Sequence, residues 1–130
     1  MPITPLFAAI FGLIYIILSL GVVRVRMGQK VSLGHSDSLE LETVVRIHAN
    51  FSEYVPMSLL LLWFLESISF NSTLVFYLGC TLLLARLAHV VGMNNPKQFM
   101  LLRQLGVVGT IGVILVTSIA LLWWYLPASV

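Results

Sequence analysis

The chain has 130 residues, 59% of them hydrophobic and 9% charged, with a mean hydropathy of +1.02 and a formal net charge of +2. Soluble domains carry about 25% charged and about 45–50% apolar residues, so this composition excludes an ordinary soluble domain and points to an integral membrane protein. No basic patch interleaved with aromatics exists, which excludes a nucleic-acid interface. The lone cysteine, Cys80, sits in an apolar run; it excludes an intrachain disulfide framework and reads as a small buried hydrophobe.

Four apolar stretches of spanning length, or nearly so, fill the chain, leaving room for one membrane domain over residues 1–130 and no soluble one. The N-terminus lacks the positive region of a cleaved signal peptide, and no lipidation box, retention tail or internal repeat is visible. A first helix is expected over about 3–26, uncharged until Arg24 and Arg26, with Pro5 tolerable in its first turn. A polar connector with Gly28 and Gly34 runs to Ser36. Asp37 and Glu40 then resemble a capping box, so a second helix is expected over about 38–67. About 30 residues at 1.5 Å each exceed the hydrocarbon core, so its first turns should project from the membrane. Pro56 lies inside it and is expected to kink it.

After a short turn at 69–73, a third helix is expected over about 74–93, carrying Arg86 and His89 near its end. A tight connector at 94–97 leads to a fourth over about 98–126. Gly106, Gly109 and Gly112 suit close helix approach there, and Trp123, Trp124 and Tyr125 suit the interfacial belt. All seven Lys and Arg residues lie toward the ends joined by the first and third connectors, against none on the other side. The positive-inside rule therefore places the loops at 27–37 and 94–98 in the cytoplasm and both termini outside.

The second helix holds the most informative stretch. Arg46, Asn50 and Glu53 stand at i, i+4 and i+7, within roughly 60° of one another at about 100° per residue. Polar residues at membrane depth are costly and mark sites. Arg24 and Arg26 of the first helix, Arg86 and His89 of the third, and Arg103 and Gln104 of the fourth join them at the cytoplasmic ends. This guanidinium-rich set suits a ligand bearing carboxylates or a thiolate, while Glu53 suits an ammonium group.

Each residue also has a plain structural reading. Arg24, Arg26 and Lys30 serve equally as positive-inside anchors. Glu53 could form a purely structural ion pair with Arg46 or with Arg86. His48 stands about 160° from the Arg46 face, so it meets a different neighbour, a second subunit or simply a core partner. Neither His48 nor His89 has the companions a metal site needs.

The pattern Arg46-x-x-x-Asn50-x-x-Glu53-Tyr54-x-Pro56, in the second of four membrane helices, resembles the MAPEG superfamily. Its members are membrane-associated proteins in eicosanoid and glutathione metabolism. Arg86-x-x-His89 and Arg103 extend the resemblance over nearly the whole chain. It implies an all-α integral membrane four-helix bundle assembled as a homotrimer, with glutathione as co-substrate bound between subunits near the cytoplasmic side. By matching position, Arg46, Asn50, Glu53, Tyr54, His48 and His89 would contact glutathione. Arg103 would stabilise its thiolate, and Arg24 or Arg26 matches the basic end of the first helix. Met93 stands where the family's enzymes often have a tyrosine, and Gln104 where a hydroxyl residue can occur.

The expected activity is a glutathione-dependent transferase or peroxidase acting on lipophilic electrophiles or lipid hydroperoxides from the membrane, in a bacterial inner membrane. The alternative is a non-catalytic membrane protein binding a lipid or anionic metabolite on the same trimeric scaffold. A transporter is disfavoured, since no inverted repeat is evident.

Overall fold

The computed structural model describes residues 1–34, 37–68, 70–95 and 97–126. Ser36, Ser69 and Pro96, read above as parts of the connectors, lie outside the described residues. Among the described residues four helices follow in chain order: α1 (Thr4–Gln29), α2 (Leu39–Ser67), α3 (Ser72–Asn94) and α4 (Met100–Tyr125). The chain is an all-helical membrane protein, in which α1, α3 and α4 are each long and apolar enough to cross a bilayer. α2 is not apolar enough by composition, although a fourth spanning stretch was expected. Its N-terminal half carries Glu40, Glu42, Arg46 and Glu53, and some of its polar groups are sheltered by the other helices.

The ends of the helices have identifiable causes. α1 runs one turn further than expected, to Gln29, because Lys30 takes a left-handed conformation (φ 56°) that closes the helix. α2 is capped by Ser38, whose hydroxyl accepts from the Leu41 amide at 3.2 Å, rather than by the expected Asp37–Glu40 box. Glu40 bonds to Gln29 across the first connector instead. Asn71 caps α3 by accepting from the amides of Thr73 and Leu74, which starts that helix two residues early. Pro56 sits inside an unbroken α2; having no N–H, it leaves the Ser52 carbonyl without its usual donor.

α2 packs against all three other helices. α3 and α4 form the closest pair, while α1 leans on α2 and more lightly on α3, out of packing contact with α4. Small residues allow the α3–α4 approach. A Cβ on Gly92 would stand 2.3 Å from the Arg103 amide nitrogen, and one on Gly106 would stand 2.6 Å from the Ala85 carbonyl oxygen. Gly109 faces Ala85 in the same crossing, but Gly112 faces open space and takes no part. Thr110 and Thr117 of α4 are buried, their hydroxyls donating to carbonyls one turn back.

Apolar side chains such as Phe7, Phe11, Leu62, Leu65 and Val75 fill the half of the bundle nearest the α2–α3 turn. At that end Glu66 reaches across to α1. Its two carboxylate oxygens accept from the amides of Ile3 and Thr4, the latter at 2.9 Å. These are orphan donors at the positive end of a helix, where a carboxylate is worth about 1–2 kcal/mol. We expect Glu66→Leu to lower stability by about that much and Glu66→Gln by less. The loss should be seen first as faster amide exchange in the first turn of α1.

Candidate functional site

α2 and α3 bring the polar residues of the other half together. Arg86 lies on the face of α3 turned toward α2 and is 2% exposed. Its Nη2 donates to Asn50 Oδ1 at 2.7 Å, and its guanidinium carbon stands 5.8 Å from the centre of the Tyr54 ring. That contact falls within the range of a cation–π interaction. Arg86 Nε is buried with no partner among the described residues. One turn along the same face, His89 is 3% exposed and its Nδ1 is likewise unpartnered. The spacing of three that placed these two residues on one face thus holds in space.

The alternative reading of Glu53 as a structural ion-pair partner finds no such pair among the described residues. Among the described residues Glu53 pairs with neither Arg46 nor Arg86, and the acceptor that Arg86 finds is the Asn50 amide oxygen. Asn50 had the reach because α2 turns it toward α3, while Glu53 and Arg46 point outward and are exposed. The buried guanidinium is therefore left with a neutral partner and a full positive charge, in a helix apolar enough to span a membrane. Arg86 engages the Asn50 oxygen, while the Asn50 N–H₂ donors have no partner among the described residues.

The remaining candidates are spread over the outside of a single chain. Arg103 and Gln104 are exposed on α4, beside Met100 and Val107. The Arg103 backbone is pressed against Gly92, which fixes where its side chain leaves α4. Arg24 is exposed at the end of α1. Arg26 instead folds back on the first connector, donating to the carbonyls of Ser32 and Gly34 at 3.3 and 3.2 Å. In one copy that residue is a loop clasp. One chain therefore assembles Asn50, Tyr54, Arg86 and His89, and leaves Arg24, Arg46, Glu53, Arg103 and Gln104 without such a cluster.

His48 points away from this group and toward α1. Its Nε2 stands 3.0 Å from Ser19 Oγ, and its ring lies against that of Tyr15 at a centroid distance of 4.9 Å. Neither α1 residue was singled out in the sequence. The available signal was their spacing: Tyr15 and Ser19 are four apart, the only polar side chains between Pro5 and Arg24. Below them α1 and α2 enclose an apolar groove of about 370 Å³, walled by Phe11, Tyr15, Phe51, Val55 and Pro56 among others.

Known proteins resemble this chain over nearly its whole length. The family model described as MAPEG family matches residues 4–123. The inner membrane protein YecN of Escherichia coli strain K12 is 32% identical over 125 residues, covering 96% of this chain and 93% of its own length. The YecN protein of E. coli O6:H1 strain CFT073 matches to the same extent. No solved structure matches. With the helix 2 motif on the inner and outer faces of α2, and a family match running from the first turn of α1 to the aromatic end of α4, the chain belongs to the MAPEG family.

Proposed function

We propose that the protein is a glutathione-dependent transferase or peroxidase of a bacterial inner membrane, acting as a homotrimer on lipophilic electrophiles or hydroperoxides. The observation that carries this reading is the buried Arg86 guanidinium with no carboxylate beside it. A cation so placed is retained where an anion is to be bound. The Asn50 N–H₂ donor and the exposed Arg46 and Glu53 lie nearby on α2. Together they offer positive charge for the carboxylates and thiolate of glutathione, with one carboxylate for its ammonium. The family membership and the inner-membrane relatives support the same reading.

Trimer formation would bring Arg103 and Arg24, exposed in one copy, to the edge of this surface. The α1 of one copy and α4 of the next, which do not meet within a chain, would form a groove for the lipophilic partner. Met93, half-buried at the end of α3, offers only a thioether, so no phenol at that position donates to the sulfur. Thiolate stabilisation then rests on Arg103. A cation within about 4 Å lowers a neighbouring anion's pKa by about one to three units, and a shift of about two makes a thiol of pKa near 8.5 mostly thiolate at neutral pH. The thiolate attacks an electrophilic carbon as its leaving group departs. With a hydroperoxide it attacks the terminal oxygen, the O–O bond breaks, and a second thiol completes reduction to alcohol, water and disulfide.

Ultraviolet difference absorption on adding glutathione tests this directly. Wild type should show a thiolate band, and Arg103→Leu should lose it while the dissociation constant for glutathione changes less than about three-fold. Wild type without any band would replace the enzyme with a non-catalytic binder of a lipid or anionic metabolite.

A further inference from the structure

The contact between α1 and His48 determines which imidazole nitrogen carries hydrogen. Ser19 Oγ has a single proton and two short neighbours: the Tyr15 carbonyl oxygen at 2.8 Å and His48 Nε2 at 3.0 Å. A carbonyl can only accept, so the hydroxyl proton must lie toward Tyr15; otherwise two oxygens would face each other lone pair to lone pair at 2.8 Å. Ser19 then has only a lone pair to offer His48. Nε2 must therefore be the protonated nitrogen, and in the neutral ring Nδ1 is bare. The Tyr15 ring, inclined at 44° to the imidazole, holds the plane in which that lone pair points. Among the described residues Nδ1 has no hydrogen-bond partner in the chain.

We propose that Ser19 is a positioning residue that locks His48 in its Nε2–H tautomer, making Nδ1 a hydrogen-bond acceptor for an N–H group of a bound thiol peptide. The ligand half of this inference rests on the function proposed above; the tautomer half rests on the Ser19 geometry alone. His48 projects about 160° from Arg46 and Asn50 around α2. The N–H it meets therefore belongs to a ligand held by a second copy of the chain. An amide or ammonium N–H fits a bare imidazole nitrogen, whereas a carboxylate or thiolate, offering no hydrogen, does not.

The test uses the full-length protein in lipid nanodiscs with ¹⁵N-labelled histidine, and glutathione as the probe. Long-range ¹H–¹⁵N spectra, with His35→Gln and His89→Gln for assignment, should show His48 as the Nε2–H tautomer in wild type. Ser19→Ala should move both ring nitrogens toward averaged shifts and weaken glutathione binding roughly five-fold, the worth of one ordinary hydrogen bond. Ser19→Thr keeps the hydroxyl and should restore both readouts. An Nδ1–H tautomer in wild type overturns the proposal. So does an unchanged affinity in Ser19→Ala, or a Thr variant no better than Ala. If wild type shows the Nε2–H signature but binds no glutathione, the proposed function and the ligand half fall together and the tautomer lock stands.

Discussion

Replacing Arg86 with Met should weaken glutathione binding by about a hundred-fold while leaving the melting temperature unchanged or raised. The two halves of that expectation have separate origins. A buried cation facing a neutral partner is a standing cost to the fold. Replacing even paired buried charges with apolar residues of similar volume is often neutral or stabilising by about 1–4 kcal/mol, and Arg86 lacks a charged partner. Against this the variant loses the charge-assisted bond to Asn50, about 1.5–3 kcal/mol, and leaves an amide oxygen that is only half-buried and able to hydrate. For the ligand the sign is reversed. A carboxylate about 6 Å from the guanidinium gains about 2.8 kcal/mol at an effective dielectric near 20, which is a factor of about 10². Asn50 also loses the bond that aims its donor. Isothermal titration and thermal unfolding on the same detergent-solubilised sample separate the effects. Arg86→Lys keeps the charge but not the planar fork, so it should recover most of the affinity. A variant that melts far below wild type would make Arg86 a structural residue, and equal affinity in all three proteins would remove it from the binding surface.

The outline of this bundle was legible because membrane helices announce themselves in one dimension. Apolar runs with charges only at their ends gave α1, α3 and α4 to within a few residues, and Arg86 and His89 were placed on one face by their spacing. Misreadings arose where the deciding neighbour is remote in sequence. A structural pair of Glu53 with Arg46 or Arg86 was one of two open readings, yet Arg86 donates to Asn50, because a rotation of α2 that no local pattern encodes decides which residue faces α3. Ser38 displaced Asp37 as the α2 cap for a local reason: Asp37 takes a left-handed conformation (φ 58°), and the residue after it has the extended backbone a cap requires. Glu66, on the side that carries no Lys or Arg, is the acceptor for the first amides of α1, more than 60 residues away in sequence. Charge counts alone do not reach that far.

The glycines of the α3–α4 crossing should prove as sensitive as the charges, and with unequal consequences. A methyl group on Gly92 has nowhere to go: its nearest neighbours are the Arg103 amide nitrogen, Cα and Cβ at 2.3, 2.7 and 2.8 Å. Two of these are backbone atoms and cannot swing aside as a flexible side chain would. On Gly106 the added carbon meets the Ala85 carbonyl oxygen and His89. In either case α3 and α4 must separate, and overpacking of this kind costs about 1–3 kcal/mol or more. Gly92→Ala should therefore lower thermal stability markedly and displace Arg103. The thiolate band should fall further than glutathione affinity, since the Asn50–Arg86 bond lies between α2 and α3 and need not move. Gly106→Ala should be as destabilising and should disturb His89 as well. Gly112→Ala is the control: open space receives its methyl, and removing a mid-helix glycine favours the helix by up to about 1 kcal/mol. That variant should melt at or above the wild-type temperature as a single chain. If native mass spectrometry finds it intact but no longer assembled, the outer face of α4 lies against another copy. If Gly92→Ala matches wild type in both stability and thiolate band, α3 and α4 are not held in this crossing and the placement of Arg103 derived from it is wrong.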